Sequence, residues 1–370
     1  MNLLILNWRD IKHPQGGGAE VHLHSIFGRL AAWGHQVTFC TTRFPGCAAE
    51  ETIDGMRVLR LGHTFFFNWE APFLISKLSA GRPFDCIIDD VNKIPFFSPL
   101  WFRRTPTCAF FHHLFGTTIF ELTAYPMALY VLWLEKLSGW GYRKSPVCTV
   151  SKSTAAELIS AGIPEANITI IENSVDTNQY CPDAAVAKED GLLLYTGRIK
   201  KYKNVALLID AVAAITRTGR AVQLVVAGTG DDEQRCKNYA VERGVAGRVR
   251  FTGHIDEAAK IDLYRRAALF VNPSIKEGWG ITNIEANACG TAVIANDAPG
   301  LRDSVRNGVT GVLYRENNLD ALVEATIGLL DNKDKRAHLE RGGREWALSF
   351  SWDSSARRVE QWLQRVISRR

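Results

Sequence analysis

The sequence predicts an α/β protein of two doubly wound domains in tandem, each a mostly parallel sheet with helices on both faces. Three observations carry that prediction. Short apolar runs alternate with segments of helical periodicity along the whole chain, as strands and helices do when they take turns. The 370 residues exceed one ordinary domain and suit two. A polar segment at 183–191, following Pro182 and lacking large apolar residues, divides the alternation into halves.

The elements follow in order. Leu3–Trp8 is a strand-like run, followed by a loop, the triplet Gly16–Gly18 and a helix from about Ala19. In that helix Leu23, Ile26, Phe27 and Leu30 recur every three to four residues, and Gly34 supplies the stop. Strands are predicted at Gln36–Thr42, Val58–Leu61, Cys86–Asp89, Thr107–Phe111 and Val147–Val150. Residues 1–182 form the first domain, 183–191 the linker and 192–353 the second domain. The second domain repeats the pattern at Leu192–Tyr195, Gln223–Ala227, Arg250–Thr252, Leu269–Asn272, Ala292–Ala295 and Gly311–Leu313. Residues 354–370 form a closing amphipathic helix, with Val359, Trp362, Leu363, Val366 and Ile367 on one face and arginines opposite. Ligands of such sheets bind beyond the carboxyl ends of the strands, so the expected site is a cleft between the domains.

Composition narrows the class. Apolar residues at 46% and charged residues at 22% can build full cores and exclude disorder. The net charge of +5 is not spread evenly. Residues 1–182 hold 15 Lys/Arg against 15 Asp/Glu, residues 183–332 hold 19 against 19, and the last 38 hold 10 against 5. Two balanced domains argue against a nucleic-acid partner, which calls for a basic stripe over the fold. The eight cysteines include no C-x-x-C pair and read as small buried hydrophobes of a reducing compartment. The N-terminal run lacks the pattern of a signal peptide. The uncharged stretches Thr105–Phe120 and Leu122–Leu134 are too short or too polar to span a bilayer. A cytoplasmic protein is expected.

Four motifs bear on chemistry. The glycines before the first helix let backbone approach a ligand, and a helix N-terminus attracts anions. They do not make the dinucleotide fingerprint: read from Gly16 the third glycine position falls on Val21, and read from Gly228 it falls on Glu233. His112 and His113 follow Phe110–Phe111 at a strand end, placed either to meet a sugar or phosphate or to serve structure. Thr196–Gly197–Arg198 with Lys203 puts two cations five residues apart after a strand, suited to a diphosphate or, failing that, to solvent. Most specific is Glu277–Glu285, EGWGITNIE. Its first carboxylate is expected in a loop and its second in the first turn of a helix beginning near Thr282, either to hold vicinal hydroxyls or to favour the helix dipole.

With these residues in view, the chain resembles the retaining glycosyltransferases of family 4. The resemblance runs through GGGAE, FHH, VSKSTAAEL, NSVD, TGRIKKYKNVALLIDAV, VVAGTGDDE, VRFTGHI and EGWGITNIEANACGTAVIA to the helix after FSW. It implies the GT-B fold: two Rossmann-like domains facing a central cleft, with the last helix crossing back to the first. It implies transfer of a hexosyl group from a UDP- or GDP-sugar to a carbohydrate, lipid-linked or small hydroxyl acceptor. By the same resemblance Arg198 and Lys203 hold the diphosphate and Glu285 the ribose. Glu277 meets the transferred sugar, with Trp279, Gly280 and Ile281 shaping the pocket. Asn283 and Ile284 donate backbone N–H groups to phosphate, His112 faces the reacting carbon, and Gly17 and Gly18 close over the donor. Ser174, where the family commonly has glycine, and Trp279, where phenylalanine or tyrosine is commoner, are departures. No metal ligands and no cofactor beyond the co-substrate are expected. A phosphorylase or epimerase on the same fold, or a non-catalytic nucleotide-sugar binder, is the alternative.

Two aromatic stretches, Thr64–Ile75 and Leu122–Leu134, read as core helices and acceptor-side walls ahead of an interfacial surface for a lipid. Thr154 with Glu157 fits a capping box. The excess arginines of the tail either solvate its outer face or touch an anionic membrane.

Overall fold

A computed structural model describes residues 1–62, 67–79, 83–92 and 94–369. The chain divides into two compact units, one of Met1–Asn173 with Trp352–Arg370, the other of Ser174–Ser351.

The first unit is built on strands β1 (Asn2–Leu6), β2 (Gln36–Thr41), β3 (Glu50–Ile53), β4 (Met56–Arg60), β5 (Cys86–Val91), β6 (Thr107–Phe111), β7 (Val147–Thr149) and β8 (Ile168–Ile170). Their order across the sheet is β3-β4-β2-β1-β5-β6-β7-β8. Every pairing is parallel except β3 with β4. Helices α1 (Gly18–Ala32), α2 (Phe67–Ser79), α3 (Ser98–Trp101), α4 (Tyr125–Gly141) and α5 (Lys152–Ser160) pack around it. Interior strands of a parallel sheet are covered on both faces, so β1 and β5 are buried at every residue, β1 as the apolar run Leu3–Leu6 and β5 with Asp89 and Asp90 enclosed after its apolar start. The antiparallel β3–β4 hairpin, unforeseen, turns through Asp54 (φ 51°) and Gly55 (φ 75°). Two left-handed residues in succession match the twist of a tight hairpin. The cap of α5 is Ser151, whose hydroxyl accepts the Thr154 N–H at 3.0 Å, one turn ahead of the expected Thr154.

Within this core Asp89 accepts from the Ser98 N–H (2.9 Å), the Ser98 hydroxyl and the Tyr142 hydroxyl (2.6 Å). Burial pushes its pKa up to about 6, against the pull of those hydrogen bonds. A carboxyl raised on folding stabilises the fold while protonated, and that stabilisation is lost as pH rises through the folded value. Unfolding free energy should therefore fall by about 3 kcal/mol between roughly pH 4 and pH 6. Asp89→Asn should flatten that window; denaturant melts showing the same slope in the variant would refute the assignment.

The second unit carries β9 (Glu189–Thr196), β10 (Gln223–Ala227), β11 (Val249–Gly253), β12 (Ala267–Asn272), β13 (Ala292–Asn296) and β14 (Gly311–Tyr314). They run parallel in the order β11-β10-β9-β12-β13-β14. Its helices are α6 (Val205–Arg217), α7 (Glu233–Glu242), α8 (Glu257–Arg266), α9 (Ile281–Ala288), α10 (Leu301–Ser304), α11 (Leu319–Asp331) and α12 (Lys333–Leu348).

The division corrects the expected linker at 183–191. The unit begins at Ser174, and Glu189–Gly191 already belong to β9. Side chains of the second unit tie the intervening segment down. Arg344 donates to the Thr177 and Tyr180 carbonyls, Arg265 donates to the Cys181 carbonyl, and Lys188 donates to Ala267 O and Thr291 Oγ1. Polar composition here marks anchoring, not freedom.

The closing helix α13 (Trp352–Ser368) belongs to the first unit, as the resemblance implies. Val359 and Leu363 are wholly buried, and Trp362 meets Phe110 edge-on at 5.2 Å. Its rim is polar: His35 Nε2 lies 2.7 Å from Glu360, Arg358 donates to Glu172 and the Ile170 carbonyl, and Arg357 lies over Trp33. Arg357 and Arg358 are thus engaged within their own unit, and Arg370 lies outside the described residues. All eight cysteines are free thiols, six of them buried. No described helix is long and apolar enough to cross a membrane.

The aromatic stretches are only half core. Phe67, Ala71 and Ile75 of α2, and Ala128, Val131 and Leu134 of α4, are buried. The opposite faces hold exposed Trp69, Phe73, Trp133 and Trp140. Thr64, Phe65 and Phe66 lie outside the described residues.

Candidate active site

In the second unit the carboxyl ends of β9 and β10 are locked together by glycine. The Gly197 N–H donates to Ala227 O (3.0 Å) and the Ile199 N–H to Thr229 O (2.8 Å). Gly228 has φ 140°, and a Cβ there would stand 2.0 Å from the Gly197 carbonyl oxygen. Any side chain would push the loops apart, so the AGTG segment exists to set the Thr196–Arg198 turn. Arg198 is exposed on that turn, its carbonyl accepting from Tyr195 (2.9 Å). Among the described residues its guanidinium has no bonded partner.

Lys203 closes a short 3₁₀ turn (Lys201–Lys203) and forms an ion pair with Glu277 in the loop after β12. The two loops are fastened by backbone: the Ile275 N–H donates to Tyr202 O (2.9 Å) and the Glu277 N–H to Pro299 O (3.2 Å). Burial disfavours the Lys203 charge, but the Glu277 carboxylate outweighs it and holds the ammonium pKa above its usual value. Arg198 acts on Lys203 in the opposite sense, so both cations act on one region.

Glu285 forms a second, buried cluster. Lys260 donates to its Oε1 (3.3 Å) and Tyr264 to its Oε2 (2.8 Å). Lys260 also pairs with Glu257 (3.1 Å) and lies over the Tyr180 ring. Burial raises the Glu285 pKa, with Lys260 pulling it back. One placement differs from expectation. Gly280 (φ 79°) caps α9, which starts at Ile281, so Glu285 sits beyond the first turn and the helix dipole does not account for it.

Gly280 is required there, since a Cβ would crowd Leu301, Asn283 and Ser304 at 2.9–3.0 Å. The Asn283 N–H, expected to serve a phosphate, donates to Gly280 O (3.0 Å). The Asn283 side chain bridges Asn272 and Ser304, and Ile284 is wholly buried. Trp279 packs edge-on against Phe350 at 5.5 Å, while Ile281 remains partly exposed.

In the first unit, Gly17 caps α1 and Gly18 opens it. The Gly17 N–H is taken by Glu20 (2.6 Å), whose other oxygen accepts from Asn92 (2.9 Å). His112, just past β6, is buried with its Nε2 2.7 Å from Asp90 Oδ1. Burial opposes the imidazolium, but the Asp90 carboxylate raises the pKa on balance. His22 stands edge-on to His112 at 5.0 Å. Burial and its charged neighbour hold the His22 pKa well below the usual value.

The geometry thus joins Lys203 to Glu277 and places Glu285 apart with Lys260 and Tyr264. In the other unit it pairs His112 with Asp90. Sequence reasoning misses Lys260, Tyr264, Asp90 and His22. Asp90 carried a signal, as one of two adjacent carboxylates within the strand CIIDDV; Lys260 and Tyr264 are an ordinary i, i+4 pair on a helix.

Comparison with known proteins agrees with this architecture. The pattern described as Glycosyltransferase Family 4 matches residues 16–179, and that described as Glycosyl transferases group 1 matches residues 177–346. Glycogen synthase of Mycobacterium tuberculosis is 26% identical over 98% of this chain and 94% of its own length. Among solved structures, sucrose-phosphate synthase from Thermosynechococcus elongatus superposes with a TM-score of 0.87 at 22% identity, covering all of both chains. Anabaena HepE in complex with UDP and glucose gives 0.78 at 18%, covering 98% of this chain and 99% of that one. The chain belongs to the glycosyltransferases of GT-B fold, a family 4 domain followed by a group 1 domain.

Proposed function

We propose that the protein transfers a hexosyl group, with retention, from a nucleotide-diphosphate sugar to a hydroxyl of a carbohydrate, lipid-linked or small acceptor. The observation that carries this reading is the Lys203–Glu277 pair beside Arg198 at the carboxyl ends of β9 and β12. Lys203 has three N–H donors: one holds Glu277, and the others serve the diphosphate. Glu277 Oε1 accepts from Lys203, leaving Oε2 to accept a hydroxyl of the transferred sugar. Glu285, steadied by Lys260 and Tyr264, accepts the ribose hydroxyls through its remaining lone pairs. HepE, a structural neighbour, is described in complex with UDP and glucose, which favours a nucleotide-sugar donor here.

Departure of the diphosphate leaves an oxocarbenium-like sugar, and Arg198 and Lys203 stabilise the charge that develops on the leaving phosphate. Glu277 is engaged with Lys203 and Glu285 with Lys260 and Tyr264, so neither is offered as a nucleophile. In front-side displacement the acceptor oxygen bonds the anomeric carbon on the face the diphosphate leaves. The anomeric carbon–oxygen bond to phosphate breaks, and the departing phosphate oxygen takes the acceptor proton. The two cations supply the charge stabilisation without a metal ion.

A thermal-shift panel of UDP-, GDP-, ADP- and dTDP-sugars tests the donor site. One of them should raise the melting temperature, and Arg198→Ala should remove most of the shift. No shift with any sugar, or a full shift in the variant, would overturn the site. Turnover with the responding sugar should persist in EDTA. Phosphate-dependent turnover without nucleotide would indicate a phosphorylase, donor binding without turnover a sensor, and a covalent sugar on Glu277 a double displacement.

A further inference from the structure

The first unit carries an exposed aromatic surface that the glycosyl-transfer site does not use. On α4, Tyr125 (68% exposed), Leu129 (43%), Trp133 (57%) and Trp140 (68%) follow one another at four- and seven-residue intervals, which places them on one outward stripe. The stripe runs about 22 Å along the helix. On α2, Trp69 (52%) and Phe73 (75%) form a second stripe one turn apart. The two helices meet where Trp69 Nε1 and Asn68 Nδ2 donate to the Tyr130 hydroxyl, at 3.1 and 3.3 Å. Both stripes therefore belong to one surface.

Apolar area of this kind on a water-soluble face marks an interaction site. Its chemistry names the partner. Exposed Lys136 lies on the α4 stripe between Trp133 and Trp140, and exposed Lys77 continues the α2 stripe one turn beyond Phe73. Lysine is depleted at the centre of protein–protein interfaces. Amphipathic aromatic rings interleaved with long cationic side chains suit the boundary between lipid headgroups and acyl chains. The surrounding charge is complementary to anionic lipid: Arg104 and Lys144, in the loops after α3 and α4, are exposed. Of the carboxylates on these segments, Glu135 is buried and accepts the Phe115 and Gly116 N–H groups, and Glu70 is half-buried. Glu121, in the turn leading to α4, is exposed.

We infer that the α2–α4 face lies on an anionic lipid bilayer, with Trp69, Phe73, Trp133 and Trp140 inserted at headgroup depth and Lys77 and Lys136 on lipid phosphates. The segment 113–124 alone connects His112 to α4, so such a bilayer would lie one loop along the chain from the His112 strand end. The inference goes beyond the transferase reading and stands without it, because binding is read with neither donor nor acceptor present.

The full chain should co-sediment with vesicles of phosphatidylcholine containing about one third phosphatidylglycerol, and much less with phosphatidylcholine alone. Each buried aromatic contributes roughly a tenfold gain in partitioning, so F73S/W133S should lower binding about a hundredfold. K77Q/K136Q should lower it about tenfold, on the anionic vesicles only. V241S, at an exposed apolar position of the second unit, should bind as wild type, and unchanged melting temperatures establish that the variants fold. Three results would overturn the inference: no sedimentation with either vesicle, equal sedimentation of F73S/W133S, or a lipid-free dimer that those two substitutions convert to monomer. The last would assign the face to a second copy of the chain.

Discussion

Lys203→Ala should lower kcat/KM for the nucleotide sugar by about 10²–10³, the usual loss when a preorganised group facing developing charge is removed. Two effects combine in it. The diphosphate loses a cation, and Glu277 loses the partner that fixes its carboxylate. Lys203→Arg keeps the charge but replaces a compact ammonium with a planar fork, so it should recover only part of the activity. Lys203→Ala should also lower the melting temperature, since it leaves the mostly buried Glu277 carboxylate without its partner, whereas Lys203→Arg, which keeps a cation there, should lower it less. Activity of Lys203→Ala within threefold of wild type, measured at saturating and limiting donor, would remove the pair from the proposed mechanism.

Glu285 should show two separable losses. Glu285→Ala leaves the Lys260 ammonium and the Tyr264 hydroxyl without their shared acceptor in a buried place. That should cost about 2–4 kcal/mol of stability. Glu285→Gln keeps an acceptor for one of them, so it should unfold less readily than the alanine variant. It should still weaken donor binding about 10- to 100-fold, because the ribose hydroxyls lose a charged acceptor. The pH dependence separates the roles. Burial raises the Glu285 pKa, so its contribution to stability declines as pH rises through that value. Donor affinity moves the other way, tightening as the carboxylate ionises. A glutamine variant whose donor affinity still tightened over that range would place the ribose contact elsewhere.

Parts of the fold are legible because burial leaves a local mark. Thr107–Phe111 and Gln223–Ala227 match their observed bounds, since an interior parallel strand must be apolar nearly throughout. Glu50–Ile53 alternates between exposed and buried at a sheet edge, so only the Asp54-Gly55 pair announces it. The segment 183–191 looks like a linker because the partners of its polar side chains lie far away in sequence: Lys188 donates to Ala267 O and Thr291 Oγ1, and Asp183 and Glu189 pair with Arg265 and Arg266. The site divides the same way. Arg198, Lys203 and Glu277 are legible because charge beside glycine at a strand end is uncommon. The start of α9 is misplaced by one residue: it begins at Ile281, directly after the left-handed Gly280 that caps it. Lys260 and Tyr264 gain meaning only from Glu285 across the packing of α8 on α9. The aromatic helices α2 and α4 show the reverse: their composition suggests core, and only the structure separates the inward residues from the outward ones.

The placement of α13 has a consequence for biosynthesis. Ser174–Ser351 is spliced into the first unit, whose helix α13 is made only after the whole of the second unit. The second unit has all its strands and helices while the first still lacks the cover over Phe110 and the partner of His35. The half begun first is therefore completed only after the other half has been made.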